Sequence, residues 1–337
     1  MKHVQSKRYL FKDILKKRPI NMMDIGIMGG IEPEWKPFSD FISIIGLEPD
    51  IRVLPKFNHK NKLSLYSYFV WSSTQELTFY ITKDPGKSSA YQPNQKLLSE
   101  FPHADRFEII ETKIIPKSQV KTLDDIQKQT LKNNYDLDFL KLDTQGSEYD
   151  ILKGGISLLP SICAAQIEVE FLPLYINQPL FSELNTFFIE NGFILMDLKR
   201  YFWKRKTFVQ YPGKGQLIFA DALYFQTPSF YLKNNLDLPR HDFILKILKY
   251  VCIALIYDLP DLAIMILEES RQYHFLPHDL FTNILKKIKT LYQWRRRLSH
   301  MSLMKIQGLL QRLSFFIQDP TQWASSDHFL GNRSDWR

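Results

Sequence analysis

A carboxylate, Asp143, directly follows a short apolar segment of this sequence, Phe139–Leu142. The apolar run is typical of a buried strand, and Gln145-Gly146 indicates a turn behind it. In open α/β sheets, ligands bind beyond the carboxyl ends of the strands, so Asp143 is expected where a ligand is held or a proton is accepted. Ser147 is expected to cap the following helix, with Glu148 stabilising its first turn. The alternative is an acidic helix start without chemistry.

A second set of polar residues follows two earlier predicted strands. Ile20–Ile25 contains Asp24 and runs into a loop that carries Gly26 and Gly30. Glycines let backbone N–H groups approach a ligand, so these three residues are candidates for a nucleotide site, with a plain tight turn as the alternative. The next apolar run ends in Glu48. An acid at about this spacing from a glycine loop, roughly 20 residues, can accept hydrogen bonds from both ribose hydroxyls.

Further carboxylates lie within apolar runs. Glu168 and Glu170 belong to the predicted strand Ile162–Phe171, and Asp221 belongs to Gln216–Phe225. An ionised carboxylate is costly to bury without partners, so Glu168 and Glu170 are expected near the rim of the sheet. Asp221 is interpreted as a structural acid whose hydrogen bonds are satisfied.

The elements that must position these residues alternate between strands and helices. This order predicts an α/β fold with a Rossmann-like sheet. The polar loop Lys83–Asn94 is either a lid over the strand ends or a long connection. Thr122 is expected to cap a helix together with Asp125. The remaining predictions are the strands Leu63–Trp71, Leu77–Ile81, Phe107–Ile115 and Phe193–Leu198 and the helices Tyr9–Lys17 and Phe181–Glu190.

The spacing of apolar residues changes to a helical period from Pro228 onward. We therefore divide the chain into a lead-in with a helix at 1–19, an α/β domain at 20–227 and an α-helical extension at 228–337. The extension is expected to hold an αα-hairpin and one longer helix, and to end in a poorly ordered tail after Asp319-Pro320. Its helices are candidates for a homodimer contact.

Composition restricts the class of protein. The chain has 337 residues, 45% of them hydrophobic and 24% charged, which is typical of a globular protein. Two distant cysteines, Cys163 and Cys252, argue against a disulfide framework or a cysteine zinc site. The basic start of the chain lacks the apolar stretch of a signal peptide, and no apolar run is long enough to span a bilayer. We therefore expect a cytoplasmic protein. The net charge of +8 leaves an anionic partner open, although no nucleic-acid-binding motif accompanies it.

The sequence resembles the FkbM-type methyltransferases from about Asn21 to Thr227. The most specific part is Asp138–Gly155, which is similar to the family signature F-L-K-[IL]-D-x-x-G-x-E-x-x-[VI]-L-K-G. The other matching segments are Asp24–Gly30, Glu48-Pro49, Thr122–Asp125 and Ile167–Val169, together with Gly192-Phe193, Trp203–Arg205 and Ala220–Ala222.

The resemblance implies that the Rossmann-like sheet has seven strands. It also implies transfer of a methyl group from S-adenosylmethionine to a hydroxyl. It places Asp24, Gly26 and Gly30 at the amino-acid end and the adenosine, and Glu48 at the ribose. Trp71 and Ser72 are implied beside the adenine. The resemblance also implies that Asp143 faces the methyl group and the acceptor, as cofactor anchor or as base. Glu168 and Glu170 are the other candidate catalytic acids.

Three residues depart from the family pattern. Ile27 and Met28 replace the usual Ala and Asn of the glycine loop, which makes the loop bulkier and removes a polar contact. Glu170 lies where many members have His, so one candidate base is lost and another is gained.

Several functions stay open at this stage. The first is an O-methyltransferase acting on a sugar, glycan or small metabolite. The second, motivated by the basic charge, is an RNA methyltransferase. The third, motivated by Ile27 and Met28, is a non-catalytic protein that keeps the fold for binding or assembly. No His/Cys cluster has metal-ligand spacing, and a carboxylate-only Mg²⁺ site at Asp143 is also left open.

Overall fold

The computed structural model describes residues 2–15, 18–28, 30–50, 62–130, 136–211, 213–293, 322–327 and 330. The fold is mixed α/β around one large sheet. Its helices are α1 (Lys2–Leu15), α2 (Gln95–Leu98), α3 (Leu123–Asp125, continued by the π-helical Ile126–Thr130), α4 (Glu148–Lys153), α5 (Phe181–Glu190), α6 (Pro228–Asn234), α7 (Arg240–Ile256), α8 (Pro260–Ser270) and α9 (His278–Gln293). Its strands are β1 (Ile20–Ile25), β2 (Ile42–Leu47), β3 (Lys62–Tyr66), β4 (Phe69–Val70), β5 (Leu77–Thr82), β6 (Ile109–Ile115), β7 (Val120–Lys121), β8 (Phe139–Leu142), β9 (Ala164–Glu170), β10 (Phe193–Trp203), β11 (Gln216–Gln226) and β12 (Ala324–Ser326).

The large sheet has the strand order β12-β10-β11-β9-β8-β1-β2-β3. Strands β3, β2, β1, β8 and β9 are parallel, whereas β11, β10 and β12 add antiparallel pairs. The chain leaves β1 for β2 on one side and later returns to β8 on the other side. The carboxyl ends of β1 and β8 therefore flank the switch point, where open α/β sheets bind ligands.

Helices cover both faces of the sheet. On one face, α1, α6, α7 and α8 pack in a single hydrophobic cluster with residues of β1, β2, β8, β9 and β11. On the other face, α3, α4 and α5 pack in a second cluster. All residues of β8 and β9 are buried, as expected for central parallel strands covered on both sides.

A buried ion pair attaches the C-terminal helices to the amino end of β8. Lys249 of α7 donates to the Asp138 carboxylate over 2.7 Å, and both side chains are almost inaccessible. The backbone N–H of Asn21 donates to the same carboxylate over 2.8 Å. Nearby, Lys246 donates to the Ser161 carbonyl oxygen over 2.9 Å. The helical segment from α7 onward is therefore part of the core that surrounds the sheet.

The mixed α/β class is confirmed, but the predicted number of strands is wrong, because the sheet has eight strands and not seven. The eighth is β12, which pairs with Tyr201–Trp203 of β10. It lies in the segment predicted to be a poorly ordered tail, so that prediction fails for 324–326, whereas 331–337 lie outside the described residues. The predicted strand Leu63–Trp71 is divided between β3, in the large sheet, and β4, which pairs with β7.

The extension contains the predicted hairpin, formed by α7 and α8, followed by α9. Within the described residues α9 spans 16 residues and α7 spans 17, so the prediction of one longer third helix is not confirmed. The predicted first helix begins earlier than expected, at Lys2. Within the ranges given above, every helix is too short or too polar to cross a membrane.

Candidate functional site

A cleft opens beyond the carboxyl ends of β1, β2 and β8. It encloses about 910 Å³ of free space, a volume that includes the open solvent at its mouth. Its walls come from four separate parts of the chain. The lining residues include Gly26, Glu48, Trp71, Lys141, Asp143 and Gln145.

Gly26 allows the ends of β1 and β8 to approach each other closely, because it has no side chain. Its φ angle is +80°, and a Cβ atom at this position would lie 2.0 Å from the carbonyl oxygen of Asp143. Its N–H donates to the Leu47 carbonyl oxygen over 2.9 Å, so Gly26 also joins β1 to β2. Gly30 adopts a φ angle of +100° but does not line the cleft, and Gly29 between them lies outside the described residues.

The two unusual loop residues point in different directions. Ile27 is buried in the hydrophobic cluster of the α7 face and leaves the cleft free. Met28 is 49% exposed and lines the cleft, with its methyl group close to Gly86 of the loop 83–94. Of the two bulky residues that motivated a non-catalytic interpretation, Ile27 is therefore in the core and Met28 remains in the cleft wall.

Glu48 stands at the end of β2 with its carboxylate beside the cleft. The N–H of Asp50 donates to Glu48 Oε1 over 2.7 Å. Burial raises the pKa of Glu48 to about 7, and the neighbouring carboxylates of Asp50, Asp143 and Asp24 act in the same direction. The second oxygen of this carboxylate can accept a hydrogen bond from a ligand.

Lys141, in the middle of β8, is a site residue that the sequence reasoning missed. It lines the cleft although its side chain is almost fully buried. Its Nζ lies 3.3 Å from Asp24 Oδ1 and 3.4 Å from Glu32 Oε1. Burial acts to lower the pKa of Lys141, but Asp24, Asp143 and Glu32 raise it above the ordinary value, so the side chain stays charged. Sequence could have signalled it, because a lysine inside a fully apolar strand requires a partner.

Asp24 is buried behind Lys141 and does not line the cleft. Burial raises its pKa to about 6, against the opposing effect of the Lys141 charge. Asp24 is therefore ionised at neutral pH and neutralises Lys141 from below the cleft floor.

The two residues implied at the adenine behave differently. Trp71 lines the cleft, and its ring centroid lies 5.8 Å from that of Tyr91. Ser72 does not line it. A Cβ atom at Gly154 would lie 2.4 Å from the Trp71 carbonyl oxygen, so this glycine lets α4 approach the segment that carries Trp71.

Asp143 is the only one of the three candidate catalytic acids that lines the cleft. Glu168 and Glu170 lie deeper, on the buried strand β9, and are 8% and 1% exposed. The Gln145 amide Nε2 donates to Asp143 Oδ1 over 3.1 Å and to Glu168 Oε1 over 2.7 Å. Burial first, and then nearby carboxylates including Asp143, raise the pKa of both glutamates well above the ordinary value. A direct role for Glu168 or Glu170 requires access that the cleft walls do not provide.

The turn after Asp143 differs from the prediction at Ser147. This side chain makes no capping hydrogen bond to α4. Glu148 Oε1 instead accepts from the Thr144 N–H over 2.6 Å and from its hydroxyl over 2.9 Å. Glu148 thus holds the turn beside Asp143, a structural role close to the one predicted. The Thr122–Asp125 capping box forms as predicted.

The loop 83–94 forms one wall of the cleft through Pro85, Gly86, Ser88 and Ala90. Asp84 anchors it by accepting from Arg106 over 2.8 Å and from the Gly86 N–H over 3.0 Å. The loop is therefore an ordered wall of the site as well as a connection.

The described residues contain no group of three or more His, Cys, Asp or Glu side chains arranged to hold a metal ion. The Asp143 carboxylate instead finds its partner in the Gln145 amide.

One family model matches part of this chain. Residues 39–195 match the family model of the Methyltransferase FkbM domain. The matched range includes Glu48, Trp71 and Asp143 and begins after the glycine loop. No curated protein matches the chain. The resemblance read from the sequence is thus confirmed over residues 39–195, a little under half of the chain, which match the FkbM methyltransferase domain.

Proposed function

We propose that this protein is an O-methyltransferase that uses S-adenosylmethionine and acts on a hydroxyl of a sugar, glycan or small metabolite. The observation that carries the proposal is the convergence of Gly26, Glu48 and Asp143 on one cleft at the switch point of the sheet. A nucleoside ligand fits these residues, because Gly26 lets the ends of β1 and β8 meet at the cleft and Glu48 offers a carboxylate beside it.

When bound, S-adenosylmethionine supplies a methyl group on a positively charged sulfur. In the chain, Glu48 accepts hydrogen bonds from the ribose hydroxyls, and Trp71 flanks the adenine. Asp143 places a negative charge on the cleft wall, where it attracts the sulfonium or accepts the proton of the attacking hydroxyl. Holding the reacting groups in line is worth about 7–11 kcal/mol of a barrier of this kind.

Binding of S-adenosylmethionine by the purified chain is the first test. Isothermal titration calorimetry should show one site per chain. Absence of binding at about 1 mM ligand, which corresponds to roughly −4 kcal/mol, would reject the cofactor and with it the enzyme.

Affinity for S-adenosylmethionine should fall as the pH decreases below about 7, by up to about tenfold per pH unit. The raised pKa of Glu48, about 7, means that the side chain gains a proton there and loses its negative charge toward the ribose. Calorimetry between about pH 6 and pH 8 measures this. In the Glu48→Gln variant the dependence should be flat over that range. An unchanged slope in the variant would assign the titration to another group, such as Asp24, whose pKa is about 6.

Asp143→Asn should lower methyl transfer by about 10²-fold or more, because the amide neither accepts the proton nor attracts the sulfonium. Transfer is measured with labelled S-adenosylmethionine and extracts of glycans, lipids and RNA, which also identifies the acceptor class. Glu168→Gln and Glu170→Gln serve as matched controls, since both acids lie outside the cleft. A larger loss in either of them than in Asp143→Asn would transfer the role of base to that residue.

We propose that the homodimer contact lies on the outer helices of the C-terminal extension. Most of α7 is buried against the sheet, whereas α9 has several exposed positions. A mass measurement in solution tests this contact, and a monomer would reject it.

A further inference from the structure

Gln145 is a non-glycine residue in a left-handed backbone conformation at the edge of the cleft. Its φ angle is +58°, and the next residue, Gly146, also has a positive φ. Such a conformation costs free energy for a residue with a side chain, and it persists where the surroundings fix it. Gln145 is buried, and the hydrogen bonds of its side chain show which neighbours hold the residue in this conformation.

The Gln145 side chain uses its hydrogen-bonding groups on four different residues. Nε2 donates to the carboxylates of Asp143 and Glu168, over 3.1 and 2.7 Å. The oxygen Oε1 accepts from Lys87 Nζ over 2.8 Å and from the Tyr175 hydroxyl over 3.2 Å. Because the Asp143 carboxylate accepts and the Lys87 ammonium only donates, these two partners allow one orientation of the amide.

Two of the contacts lead to the loop that walls the cleft. Lys87 belongs to the loop 83–94, and so does Ser89, whose hydroxyl donates to the Gln145 carbonyl oxygen over 2.7 Å. The Tyr175 hydroxyl also lies 3.0 Å from the Lys87 carbonyl oxygen. Gln145 therefore links three parts of the molecule: the carboxylate beside the cleft, the loop that walls it and the buried strand β9.

We propose that Gln145 is a positioning residue that holds the Asp143 carboxylate toward the cleft and couples it to the loop 83–94. The inference rests on the proposed function, because the carboxylate would face the sulfonium of S-adenosylmethionine. A fixed carboxylate attracts the charged sulfonium and has less effect on the neutral thioether of S-adenosylhomocysteine. The proposal therefore concerns the ratio of the two affinities.

The first test is Gln145→Met, which keeps the length of the side chain and removes its hydrogen bonds. The affinity for S-adenosylmethionine should fall by about tenfold, whereas that for S-adenosylhomocysteine should change by less than about twofold, measured by calorimetry. Hydrogen exchange of the backbone amides in 83–94 should become faster, because the loop loses the bond from Lys87 to the Gln145 side chain and keeps only the Ser89 bond to the Gln145 backbone.

A second variant separates the two roles. Lys87→Met removes the contact from the loop and leaves the bond between Gln145 Nε2 and Asp143 in place. Hydrogen exchange in 83–94 should become faster, while the ratio of the two affinities should stay close to that of the unmodified protein. A parallel loss of the ratio in Lys87→Met would show that the loop, and not Gln145, orients the carboxylate.

Asn177→Met is the matched control. Asn177 is exposed and also left-handed, with a φ angle of +61°. The variant therefore tests the effect of a methionine at a left-handed position outside the Gln145 network. We expect unchanged affinities and unchanged exchange in 83–94. Gln145→Gly removes the side chain and suits the left-handed backbone, so it keeps the test valid if Gln145→Met folds poorly.

Two outcomes overturn the proposal. The first is an equal change of both affinities in the two Gln145 variants, which indicates a purely structural residue. The second is unchanged binding together with unchanged exchange in the loop. Failure of the unmodified protein to bind either ligand would instead reject the proposed function, and the exchange measurement would still report whether Gln145 holds the loop.

Discussion

Gly26→Ala should lower the affinity for S-adenosylmethionine by about a hundredfold, roughly 2.8 kcal/mol, in a calorimetric titration. The added methyl group would lie 2.0 Å from the Asp143 carbonyl oxygen, which belongs to backbone and not to a flexible side chain. The ends of β1 and β8 must therefore move apart. Glu48 and Asp143 would lose their common alignment toward the cleft, and alanine is in addition disfavoured at a φ angle of +80°.

Gly213→Ala provides the control for the backbone conformation alone. Gly213 also has a positive φ angle, +128°, but a Cβ atom there would meet no atom within 4 Å. This variant should lose some stability and keep its affinity for S-adenosylmethionine. If both variants bind equally well, the close approach of β1 and β8 is not needed for the site.

Lys249→Met should lower the free energy of unfolding by about 3–5 kcal/mol, because it leaves the carboxylate of Asp138 buried without its nearest cation. Lys249 Nζ donates to Asp138 Oδ2 over 2.7 Å, and Asp138 is fully buried. Lys246 lies 3.5 Å from the other carboxylate oxygen and compensates in part. Urea unfolding followed by circular dichroism measures the loss.

Arg271→Met is the control for this ion pair. Its partner Glu268 lies one turn earlier on the surface, at 3.3 Å, and both side chains are about half exposed. Exposed pairs of this kind contribute about 0–1 kcal/mol. Equal destabilisation by the two variants would show that burial does not set the strength of the Asp138 pair.

The residues that follow strand ends could be predicted from the sequence, because a strand that stops at a polar residue is a local pattern. This pattern predicts Glu48 and Asp143 as site residues, and both line the cleft. Gly26 follows from the same pattern, but for a different reason: the missing side chain admits the Asp143 carbonyl oxygen, and the Gly26 N–H donates to Leu47 and not toward the cleft.

The contacts that hold the site together depend on residues far apart in the chain, and local patterns do not show them. Lys87 meets Gln145 across 58 positions, and Lys249 meets Asp138 across 111. Glu168 and Glu170 were expected near the rim, whereas the neighbours of β9 on both faces bury them. The eighth strand was missed for a related reason, since Ala-Ser-Ser has no strand-like pattern of its own and becomes a strand only beside the edge of β10.

The position of α7 also has a consequence for synthesis of the chain. The apolar side chains of β1 and β2 are complete by Leu47, but their cover on one face, α7, ends only at Ile256. At about 5–20 residues per second, the ribosome needs on the order of tens of seconds to add that cover. During this interval one face of the growing sheet stays exposed to water, so the final packing of the parallel strands must wait until the last third of the protein has emerged.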